Sequence, residues 1–481
     1  MLRVAPKLEH PLACVGLLGL VSSPFVAAKY PPASDYYSHV GSFYVMLHNV
    51  ELAHYYHFEW SLIGNLGSEL VVAALGPILG VENAARLIFA LVPALTTAGL
   101  LLLSRQAHRR IQPTVLFALP LIYSFPFNYG FLNYCLGLAV AFLAAAAWIG
   151  LSERLVAQAI CGTLLAGVVW ITHFAAFGVF MVIIASYALV STRSLRRTIL
   201  LVAPATWPLF LTILWRSGSG SGGMFFAWEW KPHWIADFLR SEWKWFDRGS
   251  AAFILLTAGT LFAFWVRERR SGTALVVAGI ALLGLFLILP NQVFGSTFTD
   301  ARLVPPALML LMTGLTPPPR HVTAVTVIGA AFVIVRLLYV TVTWETRSNE
   351  IETELRVIDS VPAGSRIAVL AYASGCESWP MFGLDHIPSL AIPRRQAFVN
   401  TLWDQPGSQL VQPTYNRGLG FNGAASGGVR KPGSLCVGEP LEIRLKTLPR
   451  NRFDFLWSFV GPIRGQRPVA QGQRGILYRI N

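Results

Sequence analysis

Asp35 and His39 are the first residues in this chain whose types and spacing could do chemistry. They follow Pro31-Pro32-Ala33-Ser34, and Ser34 or Asp35 is placed to cap a helix starting there. On that helix, positions i and i+4 share a face, so a carboxylate stands beside an imidazole. Such a pair suits proton abstraction or the holding of a divalent metal ion. The plainer reading is that Asp35 only caps the helix. His173, in Trp170-Ile171-Thr172-His173-Phe174, falls at a turn between two apolar runs, where it either lines a site or satisfies backbone. Asp300-Ala301-Arg302 opens another apolar run. An arginine there suits a phosphate through its planar fork, and the plainer alternative is an ion pair within the turn. Trp228 and Trp230 belong to a Trp-rich segment interleaved with Lys231, His233 and Arg240. That mixture reads as an interfacial anchor, or more sharply as rings that stack on a sugar. His48, His54 and His57 with Glu51 and Glu59 form a weaker metal candidate, because no HExxH pattern is present.

These residues must be positioned by membrane helices. Hydrophobic residues make up 54% of the 481 and charged residues only 13%, about half the charge of an ordinary soluble protein. Charge-poor windows of about 16–20 residues recur, the length that crosses a hydrocarbon core of about 30 Å. The net charge of +14 is concentrated in short clusters between these windows. It therefore reads as topology, with no nucleic-acid partner expected. Spans are expected at 12–28, 87–103, 113–125, 131–150, 155–172, 174–190, 198–215, 251–266, 273–290, 302–316 and 321–343. With 12–28 as an uncleaved signal-anchor and the N-terminus inside, the basic clusters at 105–110, 193–197, 267–270 and Arg320 all fall on the cytoplasmic side. Leu62 to Gly80 would reverse that order if it crossed, so 43–80 is read as interfacial helices. Arg336 is the one mid-span charge that stands out; it either snorkels or pairs.

The expected architecture is an all-α polytopic membrane bundle of about 11 transmembrane helices, N-in and C-out. Residues 1–345 form the membrane domain, with outer loops at 29–85 and 216–250. Residues 346–481 form a small α/β domain, with a helix at 351–360 and strands at 365–372, 453–459 and 475–480. Cys376 and Cys436 lie in this domain and could pair; Cys14, Cys135 and Cys161 are packing residues. The longer loops all face outward, which puts the working surface on the periplasmic or exterior side and not in the cytoplasm; a bacterial inner membrane is the expected location.

In this layout the chain resembles the integral-membrane GT-C glycosyltransferases that use polyprenyl-phosphate-linked sugars. The matching features are Asp35 in the first outer loop, the interfacial helices after it, and Gly80 to Arg86 leading into a span. The run Phe127 to Gly137, the Thr172-His173-Phe174 turn and Thr299 to Leu303 are similar to a poorly characterised bacterial branch of that class. Where an acidic pair is common in the class, this chain has Asp35-Tyr36-Tyr37. The resemblance implies that Asp35 activates the acceptor as base or metal-associated carboxylate, and that Arg302 contacts the donor phosphate. His39 and His173 would line the same cavity, and any metal ion would be held by Asp35 and His39. The implied partners are a lipid-linked sugar donor and membrane lipids. The other readings are a transporter or flippase of envelope lipids or glycans, and a non-catalytic scaffold for envelope assembly. No inverted repeat is evident to favour the transporter.

Overall fold

The computed structural model describes residues 8–218, 223–268, 272–293, 296–373, 383–405, 407–433 and 438–480. Among them, six helices are long and apolar enough to cross a membrane. These are Val81–His108, Leu132–Gly150, Leu155–Thr172, Phe174–Thr192, Lys244–Arg267 and the helical run Pro319–Ser360. At about 1.5 Å per residue, even the shortest of them reaches about 27 Å. A seventh span is broken: Leu195–Ala205 and Pro208–Arg216 meet at 63°. Pro204 and Pro208 flank the break, where they remove backbone donors and disfavour a straight helix. The expected spans at 12–28, 273–290 and 302–316 appear as shorter apolar helices, Pro11–Val21, Thr273–Ile288 and Ala301–Gly314. This is a membrane protein, and the long, broken and shorter elements together account for ten of the eleven expected spans.

One expected span is not an α-helix. Residues 113–125 form two 3₁₀ turns, Pro113–Phe117 and Leu119–Tyr123, with every side chain buried. Pro113 and Pro120 each sit at the start of a turn, where a missing N–H costs nothing, and they prevent one continuous helix. Hydropathy registers the burial of this segment and is blind to its fold. Arg336 pairs with Asp247 at 2.9 Å, and both are buried. The pair explains how a mid-span charge is tolerated.

The segment 43–80, expected to hold interfacial helices, contains the helix Gly67–Leu79 and the end of the helix Tyr36–Leu47. Between them a short strand, Tyr56–Phe58, pairs antiparallel with Val411–Pro413. The first long loop is thereby hydrogen-bonded to the C-terminal region. That region grows out of the membrane part without a break, because helix Val322–Leu355 runs through residue 345. Its sheet places Arg366–Tyr372 centrally, parallel to Phe398–Val399, Gly428–Val429 and Phe455–Ser458. Ile476–Arg479 then pairs antiparallel with Phe455–Ser458, and Pro468–Gln471 completes the edge. The three strands expected from apolar runs are all present. Cys376 and Cys436 lie outside the described residues; Cys14, Cys135 and Cys161 are free thiols.

Candidate functional site

Asp35 sits where the chain enters helix Tyr36–Leu47, in a helical conformation with no capping hydrogen bond from its side chain. Its carboxylate is therefore not used on the helix's unpaired N–H groups. The Asp35 backbone N–H donates to the Tyr129 carbonyl at 2.8 Å. Gly130 makes this approach possible: its φ is +93°, and a Cβ there would stand 2.9 Å from the Asp35 and Tyr36 nitrogens. One turn along, His39 shares the face of Asp35, as the spacing requires.

Arg302 arrives from another part of the chain. Asp300 is fully buried and accepts from Lys231 Nζ at 2.8 Å, Asn291 Nδ2 at 3.0 Å and the Ala301 N–H at 2.8 Å. It anchors the short turn Ala301–Leu303 that carries Arg302. The Arg302 guanidinium lies 3.9 Å from the Phe131 ring centre and donates through Nη2 to the Thr297 carbonyl at 2.9 Å. Its Nε is buried without a hydrogen-bond partner. Tyr134 donates to the Arg302 carbonyl at 2.7 Å, which fixes the backbone independently of the side chain. His173 caps helix Phe174–Thr192, its Nδ1 accepting from the Ala175 N–H at 3.1 Å. Nδ1 being an acceptor, Nε2 carries the ring hydrogen. His173 thus has the backbone partner of its plainer reading and lines the site as well.

Asp35, His39, His173 and Arg302 all face one cavity of about 220 Å³. Trp215 of the broken span, Asn133 of helix Leu132–Gly150, and Trp403 and Gln405 of the C-terminal region complete its walls. The cavity therefore lies at the end of the bundle where the C-terminal region docks. The basic stretches 105–110 and 193–197, Arg267 and Arg320 sit at the other ends of their helices.

Three expected site residues are elsewhere. Asp300 is the anchor just described. Trp228 and Trp230 are about half exposed and do not line the cavity; Trp228 stacks on Phe226. The cavity's indoles are Trp215 and Trp403, which hydropathy and clustering gave no reason to prefer. His386 was also not expected. Its Nε2 lies 3.7 Å from Asp35 Oδ1, and its ring packs on Trp403 at 4.7 Å. The only trace of it in the sequence is Asp385-His386, a pair in a region read as a separate domain.

Burial raises the Asp35 carboxyl to about 7, opposed by His386 and Arg302 and reinforced by Asp385. Burial, then His386, pushes the His39 imidazole down to about 4. The Asp35 carboxyl therefore titrates near neutrality beside a neutral imidazole. Among the described residues, no group of three or more His, Cys, Asp or Glu is arranged to hold a metal ion. Asp35 and His39 alone do not fit a protein-built metal centre. The loop histidines fare no better: His57 and Glu59 are 3.6 Å apart but largely exposed, and His48 is turned to the Tyr44 carbonyl.

No protein-family model and no curated protein matches the chain. Among solved structures it is similar to ArnT from Cupriavidus metallidurans, a structure bound to undecaprenyl phosphate. The TM-score is 0.54 at 10% identity, and the match covers 98% of each chain. The chain therefore shares the fold of that structure along its length, including the C-terminal region.

Proposed function

We propose that this membrane protein is a glycosyltransferase that moves a sugar from a polyprenyl-phosphate-linked donor to a lipid, glycan or protein acceptor. The observation that carries the reading is the convergence of Asp35 and Arg302, far apart in sequence, on one cavity beneath the C-terminal region. The undecaprenyl phosphate bound to the fold's solved counterpart agrees with such a donor. The periplasmic side follows from the basic clusters at the opposite helix ends, which the positive-inside rule assigns to the cytoplasm.

The residues divide the work. Arg302 offers a buried, unpartnered Nε and a delocalised charge, a good match for a phosphate oxygen. The acceptor's nucleophilic O–H or N–H lies against Asp35. As the acceptor attacks the anomeric carbon, its proton passes to the Asp35 carboxylate. The bond from that carbon to the phosphate oxygen breaks, and polyprenyl phosphate leaves with the electron pair. Arg302 stabilises the charge gathering on it. His39 and His173, neutral and half-buried, supply hydrogen bonds without competing charge. Trp215 and Trp403 offer faces for an apolar or sugar surface.

The test is transfer from a purified lipid-linked sugar by the full chain in proteoliposomes, with Asp35→Asn and Arg302→Ala. Both variants should lose transfer. Undiminished transfer in both would remove the assignment, and substrate flux without any chemical product would favour a transporter.

A further inference from the structure

We propose that His386 is the positioning partner of Asp35, presenting Nε2–H to the carboxylate so that it stays ionised inside a buried cavity. This rests on the reading of Asp35 as the base. It makes the C-terminal region part of the reacting apparatus as well as a cover.

His386 is 2% exposed. Its Nδ1 lies 2.6 Å from the Thr401 carbonyl, which can only accept, so Nδ1 carries a hydrogen. Nε2 lies 3.7 Å from Asp35 Oδ1 and 3.7 Å from Asp385 Oδ2. Ionised carboxylates also only accept, so a hydrogen on Nε2 faces both across contacts longer than a hydrogen bond. A buried carboxylate with no such neighbour takes up a proton and is lost as a base.

Packing fixes the geometry. Helix Tyr36–Leu47 lies against the segment that follows His386. A Cβ on Gly41 would stand 2.9 Å from Ile392 Cδ1 and 3.2 Å from Ser389 Cβ. Ser389 and Thr401 are joined through their hydroxyls at 2.7 Å, which ties the His386 turn to its own hydrogen-bond acceptor. Among the described residues, the charged and titratable groups facing Asp35 are His386, Asp385 and Arg302; those facing His386 are Asp35, Asp385 and His39.

The test is infrared titration of the full chain in lipid nanodiscs without substrate. The band of protonated Asp35 is identified as the carboxyl band that Asp35→Asn removes. His386→Asn keeps an amide to donate to the Thr401 carbonyl and removes Nε2. The band should then appear at a pH higher by about one unit or more, equivalent to about a tenfold loss of ionised Asp35 near neutrality. His386→Gln, which also lacks the ring Nε2, should move the band the same way and decides the matter if His386→Asn does not fold. A band that stays at the wild-type pH in the variants that fold overturns the proposal. Binding of undecaprenyl phosphate is measured on the same samples. If that lipid fails to bind while the band moves as expected, the glycosyl-transfer reading falls and the His386 assignment stands.

Discussion

Arg302→Lys and Arg302→Ala test the phosphate role by degrees. The guanidinium already donates to the Thr297 carbonyl, rests on the Phe131 face and keeps Nε free of a partner. Lysine keeps the charge but presents a single point, losing the fork and the flat contact with the ring. One charge-assisted hydrogen bond is worth about 1.5–3 kcal/mol, or about 10- to 150-fold in affinity. Arg302→Lys should weaken undecaprenyl phosphate binding by about that factor. Arg302→Ala removes the charge as well and should weaken it by at least about 100-fold. The fold should survive both, because Tyr134 holds the Arg302 backbone carbonyl rather than its side chain. Affinity is measured for the full chain in nanodiscs, with thermal melting as the control. Wild-type affinity in the alanine variant, at unchanged melting temperature, would refute the assignment.

Activity and stability should respond oppositely to pH. Asp35 works as a base only when ionised, so transfer should rise as pH passes up through about 7. Its carboxyl is raised on folding, so its contribution to stability is full below the ordinary carboxylate range and is lost as pH rises through about 7, which melting curves across pH would show. Lys231→Met strands the buried Asp300 carboxylate and should cost about 3–5 kcal/mol, read as a lowered melting temperature. It should also weaken undecaprenyl phosphate binding, since Asp300 anchors the turn bearing Arg302. Trp403→Ala removes a cavity wall and should lower kcat/KM for transfer, whereas Trp228→Ala, half exposed and outside the cavity, should leave it unchanged.

What the sequence disclosed followed from cost. Asp35, His39, His173 and Arg302 are polar residues at the ends of apolar runs, where burying them needs a reason, and the fold collects all four. The Asp35–His39 pairing needed only helix periodicity. The strands at 366–372, 455–458 and 476–479 were legible because each is a short apolar run bounded by turn-forming residues. Composition could not show what depends on docking. Trp403 and Gln405 reach the cavity, and His386 reaches Asp35, only because the C-terminal region folds back onto a segment some 350 positions earlier. No local pattern encodes that return. Trp228 and Trp230 drew notice by clustering, yet clustering at an interface reports the bilayer and not the cavity. In 113–125, two prolines turned an apolar run into 3₁₀ turns that hydropathy cannot tell from a helix.

A structure of the full chain with undecaprenyl phosphate bound is the most direct measurement. The expected result is lipid phosphate within hydrogen-bond distance of Arg302, in the cavity that holds Asp35. Phosphate seated apart from both residues, or at the helix ends carrying the basic clusters, would contradict it.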